Sequence, residues 1–378
     1  MYLLNELLFL SPLAVYVAWR IRSLIPRRAF RNLSTVLLLL LVAGYPAAER
    51  LAHGPLSGGK RHLVIAGYYA LPLLLYLVLA VVLSDAVICA CRLTRVLSRE
   101  TVRRPAFRGR RLAFLIAAPA IILAYGIWNH HHLRVSEYSI EVARRSSPLE
   151  TVRIVFASDF HLGAMTDAHF MEKFVARVNA LNPDIVLIGG DVMEGHRGDK
   201  PEKFAARFQE LRTKYGVYAV PGNHESYGGG ENAFFERAGI RLLRDEVIKV
   251  GGAFYLAGRV DGGHRRRRKS LTDILRDTPG DLPLILMDHV PLGLEEASRA
   301  GVDIQVSGHT HNGQLFPMNF IAGHVYELSW GHLIKGRTHF FVSSGVQLWG
   351  PPVRTAGVSE IMLIDVAFRR PGPISSNH

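Results

Sequence analysis

The sequence predicts a two-part chain: membrane-spanning helices first, then an α/β sandwich with two sheets between helical layers. Three observations predict it. Nearly all long apolar runs lie before residue 130. From residue 150 the pattern changes to strand, loop and helix, with turn residues between them. The charge divides in the same way: residues 1–149 hold 19 Lys+Arg against 6 Asp+Glu, whereas residues 150–378 hold 26 of each. At 378 residues, two parts are the default expectation.

In the first part, Leu33–Ala48, Leu63–Cys89 and Leu112–Trp128 are long enough to consider as spans. Pro72 in the second is tolerable in a spanning helix, and Trp128 suits the interface. Leu3–Trp19 is a weaker fourth candidate, interrupted by Asn5, Glu6 and Pro12, and lacks the basic lead of a signal peptide. About four spans are therefore expected over 1–130. Arginines crowd residues 20–31 and 92–111, while 49–62 holds only Arg50, Lys60 and Arg61. The positive-inside rule places the two Arg-rich loops in the cytoplasm and delivers the second part to the outer side of the cytoplasmic (inner) membrane. The net charge of +13 thus belongs to the membrane half, whereas a nucleic-acid binder would carry it on the folded domain.

Cys89 and Cys91 are the only cysteines. Two residues apart on a helix they point to different faces, which disfavours a disulfide between them. His130, His131 and His132 follow the last span and read as a polar collar at headgroup level. Residues 131–149 read as a lead-in linker and first edge of the domain that fills 150–370, with 371–378 as a flexible tail.

In that domain, strands are expected at Val152–Ala157, Asp184–Ile188, Gly216–Val220, Leu284–Met287, Asp303–Val306, His339–Ser343 and Glu360–Val366. Helices are expected at Phe170–Leu181 and over 201–214. Just past the strand ends lie seven metal-ligand side chains in short motifs. These are Asp159 and His161 in Ser-Asp-Phe-His, Asp191 in Gly-Gly-Asp, Asn223 in Gly-Asn-His-Glu, His289 in Asp-His-Val-Pro, and His309 and His311 in Gly-His-Thr-His. Open α/β sheets place their sites at such strand ends. Carboxylate, imidazole and amide oxygen together suit hard or borderline divalent ions, and a pair of such ions activates water against phosphorus. Asp-x-His and His-x-His put both side chains on one side of an extended segment. One ion could take both members of a pair, or two neighbouring ions one each. Asp191 stands alone, and a carboxylate can bridge.

Asp-x-His, Gly-Asp, Gly-Asn-His-Glu, a lone His and Gly-His-x-His, in that order, resemble the calcineurin-like metallophosphoesterase superfamily over roughly residues 150–367. Gly308–Gln314 and Leu348–Arg354 resemble its bacterial membrane-associated branch, which commonly has Gly where this chain has Asn312. Met193-Glu194 departs from the commoner aliphatic residues. The resemblance implies a metallophosphoesterase domain with two divalent ions, Mn, Fe, Zn, Ni or Mg undistinguished. One ion would be held by Asp159, His161, Asp191 and His311, the other by Asp191, Asn223, His289 and His309. A bridging hydroxide would attack phosphorus, with His224 as general acid or transition-state stabiliser. Glu225, Asp288 and Gln314 would orient ligands or serve as ordinary loop polar residues. Arg265, Arg266, Arg267 and Arg268, in the basic run His264–Lys269, read as a clamp on lipid headgroups or substrate phosphate, and Gln314 as a further substrate contact.

The expected function is hydrolysis of a phosphoester outside the cytoplasm, with membrane lipids as partners, lipid or lipid-linked phosphate as the favoured substrate, and no nucleic acid. The rivals are a catalytically silent membrane scaffold or receptor and a nuclease of the same superfamily.

Overall fold

A computed structural model describes the chain except residues 1, 53–55, 57, 144, 164, 196–200, 229–230, 262–267 and 370–378. The expected tail, and His264–Arg267 of the basic run, therefore lie outside the described residues. The chain divides into two compact units, one of Met1–Asn129 with Gly350–Thr355, the other of His130–Trp349 with Ala356–His378.

The first unit is helical, with long helices at Tyr2–Leu24, Arg28–Ala52, Gly58–Leu93 and Pro105–His130. Among the described residues, three are long and apolar enough to cross a membrane: Arg28–Ala52, Gly58–Leu93 and Pro105–His130. The fourth candidate forms a helix, Tyr2–Leu24, outside that set. Small residues let the second and third helices meet closely: a Cβ on Gly67 would strike Gly44 and Ala48. Asp85 gathers Tyr16, Arg20 and Arg111, so an acid inside a long apolar helix has hydrogen-bonded counter-ions. The Gly350–Thr355 segment belongs here too. Arg354 N donates to Gly126 O at 3.0 Å, and Asn129 Nδ2 donates to Arg354 O at 3.1 Å.

The second unit contains twelve strands among its described residues. They are β1 (Arg134–Ala143), β2 (Thr151–Ala157), β3 (Ile185–Ile188), β4 (Val217–Ala219), β5 (Arg241–Leu242), β6 (Glu246–Val250), β7 (Phe254–Gly258), β8 (Leu284–Met287), β9 (Ile304–Ser307), β10 (Gly331–Lys335), β11 (Thr338–Val342) and β12 (Glu360–Arg369). They form two six-stranded sheets, ordered β1-β12-β2-β3-β4-β5 and β10-β11-β9-β8-β7-β6. Strands β2 to β5 are parallel, as are β7, β8, β9 and β11, so their C-terminal ends share one edge in each sheet.

The period-two pattern builds three cores. Ile154, Phe156, Ile185 and Leu187 face Leu256, Ile285, Met287 and Val306 between the sheets. Their alternates Val155, Ala157, Val186 and Ile188 pack under Phe174, Phe204 and Phe208 of the helices Ala168–Ala180 and Glu202–Phe208. On the other outer face Ala257, Leu284, Leu286 and Phe340 meet Leu271, Leu294 and Ala297.

Two sequence expectations are refined. The stretch read as a lead-in linker and first edge is mostly edge rather than linker: it holds β1, the edge strand of its sheet, ten residues paired in parallel with β12 from Arg134↔Glu360 to Ala143↔Arg369. The helix expected over 201–214 stops at Phe208, beyond which the chain turns toward β4.

Candidate metal centre

The five strands β2, β3, β4, β8 and β9 each end within four residues of a ligand-type side chain. The chain then turns sharply, and the turns are unusual. Asp159, His161, Asp191, His309 and His311 all have positive φ, from 45° to 70°. Such a conformation costs an L-residue free energy and persists where surrounding structure over-determines it. The extended Asp-x-His and His-x-His geometry is therefore incorrect. Left-handed turns, rather than strand alternation, aim these side chains inward. Asn312 also has a positive φ of 47°, which explains why a glycine suits that position and why asparagine, tolerant of this region, replaces it.

Two side-chain groups result. In the first, His161 Nε2 lies 3.1 Å from His311 Nε2, and His311 Nε2 lies 3.4 Å from Asp159 Oδ1. In the second, His289 Nε2 lies 3.2 Å from Asp191 Oδ2, and His309 Nδ1 lies 3.0 Å from Asn223 Oδ1. One donor atom from each of Asp159, His161 and His311, and likewise of Asp191, His289 and His309, falls within 4.8 Å of its group members. Asp191 Oδ2 also sits 4.0 Å from His161 Nε2, so it reaches both groups. The two members of His-x-His separate, one to each group, while Asp-x-His stays together.

Hydrogen bonds fix the orientations. His289 Nδ1 donates to Gly189 O at 2.7 Å, which turns Nε2 toward the centre. His224 Nδ1 donates to Glu194 O at 2.7 Å, again leaving Nε2 outward, and its backbone N–H donates to Asp191 Oδ1 at 2.9 Å. Asn223 Nδ2 donates to Tyr227 Oη at 3.2 Å, so its carbonyl oxygen faces His309. Glu225 accepts backbone N–H bonds from Asp191, Val192, Met193 and Gly222 at 2.6–3.0 Å. It ties the Asp191 loop to the Asn223 loop.

Charge explains why this site suits cations. Asp159 and Asp191 are both buried carboxylates. Burial pushes Asp159 above its ordinary range. Burial also opposes the charge on Asp191, but the adjacent His289 holds it well below. Burial works against a charged His289 too, yet Asp191 pushes its pKa up to about 10. Burial and the charge on His289 push His309 down to about 4. A proton on His289 thus supplies positive charge that a divalent ion would replace. Space agrees with chemistry: a Cβ on Gly222 would collide with the Asp191 carboxylate, and one on Gly308 with Asp159. The residues present fit divalent metal ions.

The remaining expected residues are placed as follows. Asp288 lies directly behind His289, buried, with Arg259 at 3.5 Å and Arg268 in contact. Burial raises its pKa to about 6 against those two arginines. Arg268 thus faces Asp288, whereas Arg265, Arg266 and Arg267 lie outside the described residues. Gln314 is buried, and its amide bridges the Trp349 backbone, donating to O at 3.0 Å and accepting from N at 3.3 Å. The sequence reading missed Glu194 as a site residue. Its carboxylate lies 2.8 Å from His161 Nδ1 and 4.0 Å from His224 Nδ1. Its signal was the charge three residues after Asp191, noted only as a departure from aliphatic residues. Arg259 and Tyr227 were also missed, because their partners are distant in sequence or lie in a turn.

Two layered sheets with carboxylate–imidazole groups at their strand ends define a phosphoesterase-type domain. The family model described as calcineurin-like phosphoesterase matches residues 152–313. An uncharacterized metallophosphoesterase of Aquifex aeolicus is 32% identical over 257 residues, covering 65% of this chain and 97% of that protein. A transmembrane protein with metallophosphoesterase domain from Danio rerio is 30% identical over 296 residues, covering 72% of this chain and 67% of that one. An uncharacterized metallophosphoesterase of Helicobacter pylori is 32% identical over 217 residues, covering 56% of this chain and 58% of that protein. The chain belongs to the calcineurin-like metallophosphoesterase family. It spans about 58% of the length of the Helicobacter pylori relatives it matches.

Proposed function

We propose that this protein is a membrane-anchored, two-metal phosphoesterase working on the extracytoplasmic side of the cytoplasmic membrane. The observation that carries the catalytic reading is the reach of Asp191 to both groups, 3.2 Å to His289 and 4.0 Å to His161. Asp159, His161, Asp191 and His311 would hold one ion; Asp191, Asn223, His289 and His309 the other. The chemistry that bound ions would supply is a more acidic water and neutralisation of charge on phosphorus.

The chain's own residues do the rest. His224, with Nδ1–H committed to Glu194 O, presents Nε2 as the atom that holds a proton for the leaving oxygen. Glu225 keeps the Asp191 and Asn223 loops in register, so the ligands need no reorganisation during reaction. The buried Asp288, next to His289 in sequence, is held by Arg259 and Arg268. Anchoring is supported by the three long apolar helices, and orientation by the Arg-rich stretches 20–31 and 92–111. Anchoring favours lipid or lipid-linked phosphate as substrate.

The test is metal analysis of the purified full chain together with turnover of a phosphoester panel that includes phospholipids. Two ions per chain and metal-dependent turnover are expected. A chain with both ions and no turnover of any ester would overturn the enzymatic reading.

A further inference from the structure

The helix Met318–Val325 begins seven residues after His311 and is tied to the ligand loop at both ends. Gln314 N donates to His311 O at 2.9 Å and Met318 N to Leu315 O at 2.7 Å. At the other end Tyr326 sets its ring against His309, with centroids 6.1 Å apart, and Thr310 Oγ1 donates to Ser329 O at 2.6 Å. Its sequence, MNFIAGHV, contains no Asp, Glu, Lys or Arg.

The outer face of this helix is mostly apolar, with His324 as its one titratable side chain. Phe320 is 67% exposed, Ile321 57% and Val325 60%, with Phe316, just before the helix, at 48%. At 100° per residue, Phe320, Ile321 and Val325 lie on one arc of about 140° that also contains the exposed His324, and the buried Ala322 lies outside that arc. Phe316 stacks edge-on against Phe320 at 5.7 Å and extends the patch. Scattered exposed apolar residues are ordinary, but four large apolar side chains grouped on and beside one short helix, with the exposed His324 among them, mark a surface with a partner.

The chain itself indicates which partner. It carries three helices long and apolar enough to cross a bilayer, and residues 131–133 alone join the last of them to β1. A lipid surface is thus covalently tethered to the unit that bears the stripe. We propose that the helix Met318–Val325, with Phe316, seats at the boundary between headgroups and acyl chains, so that the adjoining site acts on a phosphoester carried by a membrane lipid. This rests on the phosphoesterase and anchoring readings above. Short apolar faces with aromatic residues bind bilayers in this interfacial manner.

The full chain, with Cys89→Ser and Cys91→Ser, is reconstituted in vesicles of phosphatidylcholine and phosphatidylglycerol. Spin labels are attached in turn through Phe320→Cys, Ile321→Cys and Val325→Cys, with Arg299→Cys as an exposed control. Labels on the stripe are expected to collide several-fold more with dissolved oxygen than with a water-soluble nickel chelate, while the control shows the reverse. Aqueous behaviour at all three positions overturns the proposal. Shielding from both reagents also overturns it, and points to a second copy of the chain as occupant. Alkaline carbonate extraction of the same vesicles separates the failures. A chain that washes out refutes anchoring; a chain that stays with aqueous labels refutes only the seating. For the substrate, Phe320→Glu with Ile321→Glu is expected to keep hydrolysis of soluble bis(p-nitrophenyl) phosphate. It should lose at least about tenfold of wild-type turnover on vesicles containing phosphatidic acid or phosphatidylglycerol. No wild-type turnover of either lipid, or an equal loss on the soluble ester, overturns the lipid assignment.

Discussion

The two side-chain groups of the centre reach similar donor sets by different means. In the first, all three members, Asp159, His161 and His311, sit in left-handed backbone. In the second, Asp191 and His309 do so, whereas His289 and Asn223 are aimed by hydrogen bonds to Gly189 O and Tyr227 Oη. Each strained residue costs on the order of 1–3 kcal/mol that the surrounding sheets must offset. Left-handed backbone thus shapes every member of the first group, whereas the second combines it with side-chain hydrogen bonds at His289 and Asn223. The second holds an imidazole with a pKa driven up to about 10 beside another driven down to about 4. Without metal, its carboxylate supports one extra proton, and the other ring remains neutral.

The most severe way to break this comparison is Asp191→Asn, which affects both groups. Loss of about 10²–10³-fold or more in kcat/KM on a chromogenic phosphodiester is expected, with the fold retained by circular dichroism. Normal turnover with full metal content would overturn the proposed bridging role of Asp191. His224→Asn should lower kcat by about 10²-fold while metal content, read by atomic emission, stays that of wild type. A parallel loss of metal would make His224 part of the ligand set instead.

Smaller effects sharpen the contrast. Glu194→Gln weakens the carboxylate contact with His161 and should reduce affinity at the first group by about 10–100-fold, leaving the second unchanged. Equal weakening of both in a metal titration would show that the groups are one coupled unit. Protons distinguish the second group. His289 keeps its proton in the metal-free protein until about pH 10, so metal uptake at pH 7 should release it, measurable by calorimetry in buffers of different ionisation enthalpy. The same shift has a stability consequence. The folded pKa lies above the unfolded value of about 6.5. The Asp191–His289 attraction therefore stabilises the chelated protein fully below that pH and is lost as pH rises through about 10. A melting temperature that climbs across that window would contradict it. Least of all, Asn312→Ala at a φ of 47° should cost about 1 kcal/mol in thermal melts.

The strand-end, ligand-type side chains were legible because apolar runs such as Asp184–Ile188 and Asp303–Val306 stop just before polar, glycine-containing motifs. The two-sheet plan followed from the order of those runs. The left-handed turns were not legible, since a motif such as Asp-Phe-His carries no sign of backbone hand. Neither was Glu194, whose contact with His161 depends on two loops meeting. The register of β1 also escaped, because its parallel partner β12 lies more than two hundred residues downstream.

That last pairing bears on how the domain is made. β12 lies between β1 and β2 and is the neighbour through which β1 joins its sheet. During synthesis, β1 leaves the ribosome more than two hundred residues ahead of β12 and must wait, edge uncovered, until residues 360–369 follow it out. The first sheet is thus completed only once that distant strand has emerged, and β1 is the strand most in need of protection meanwhile.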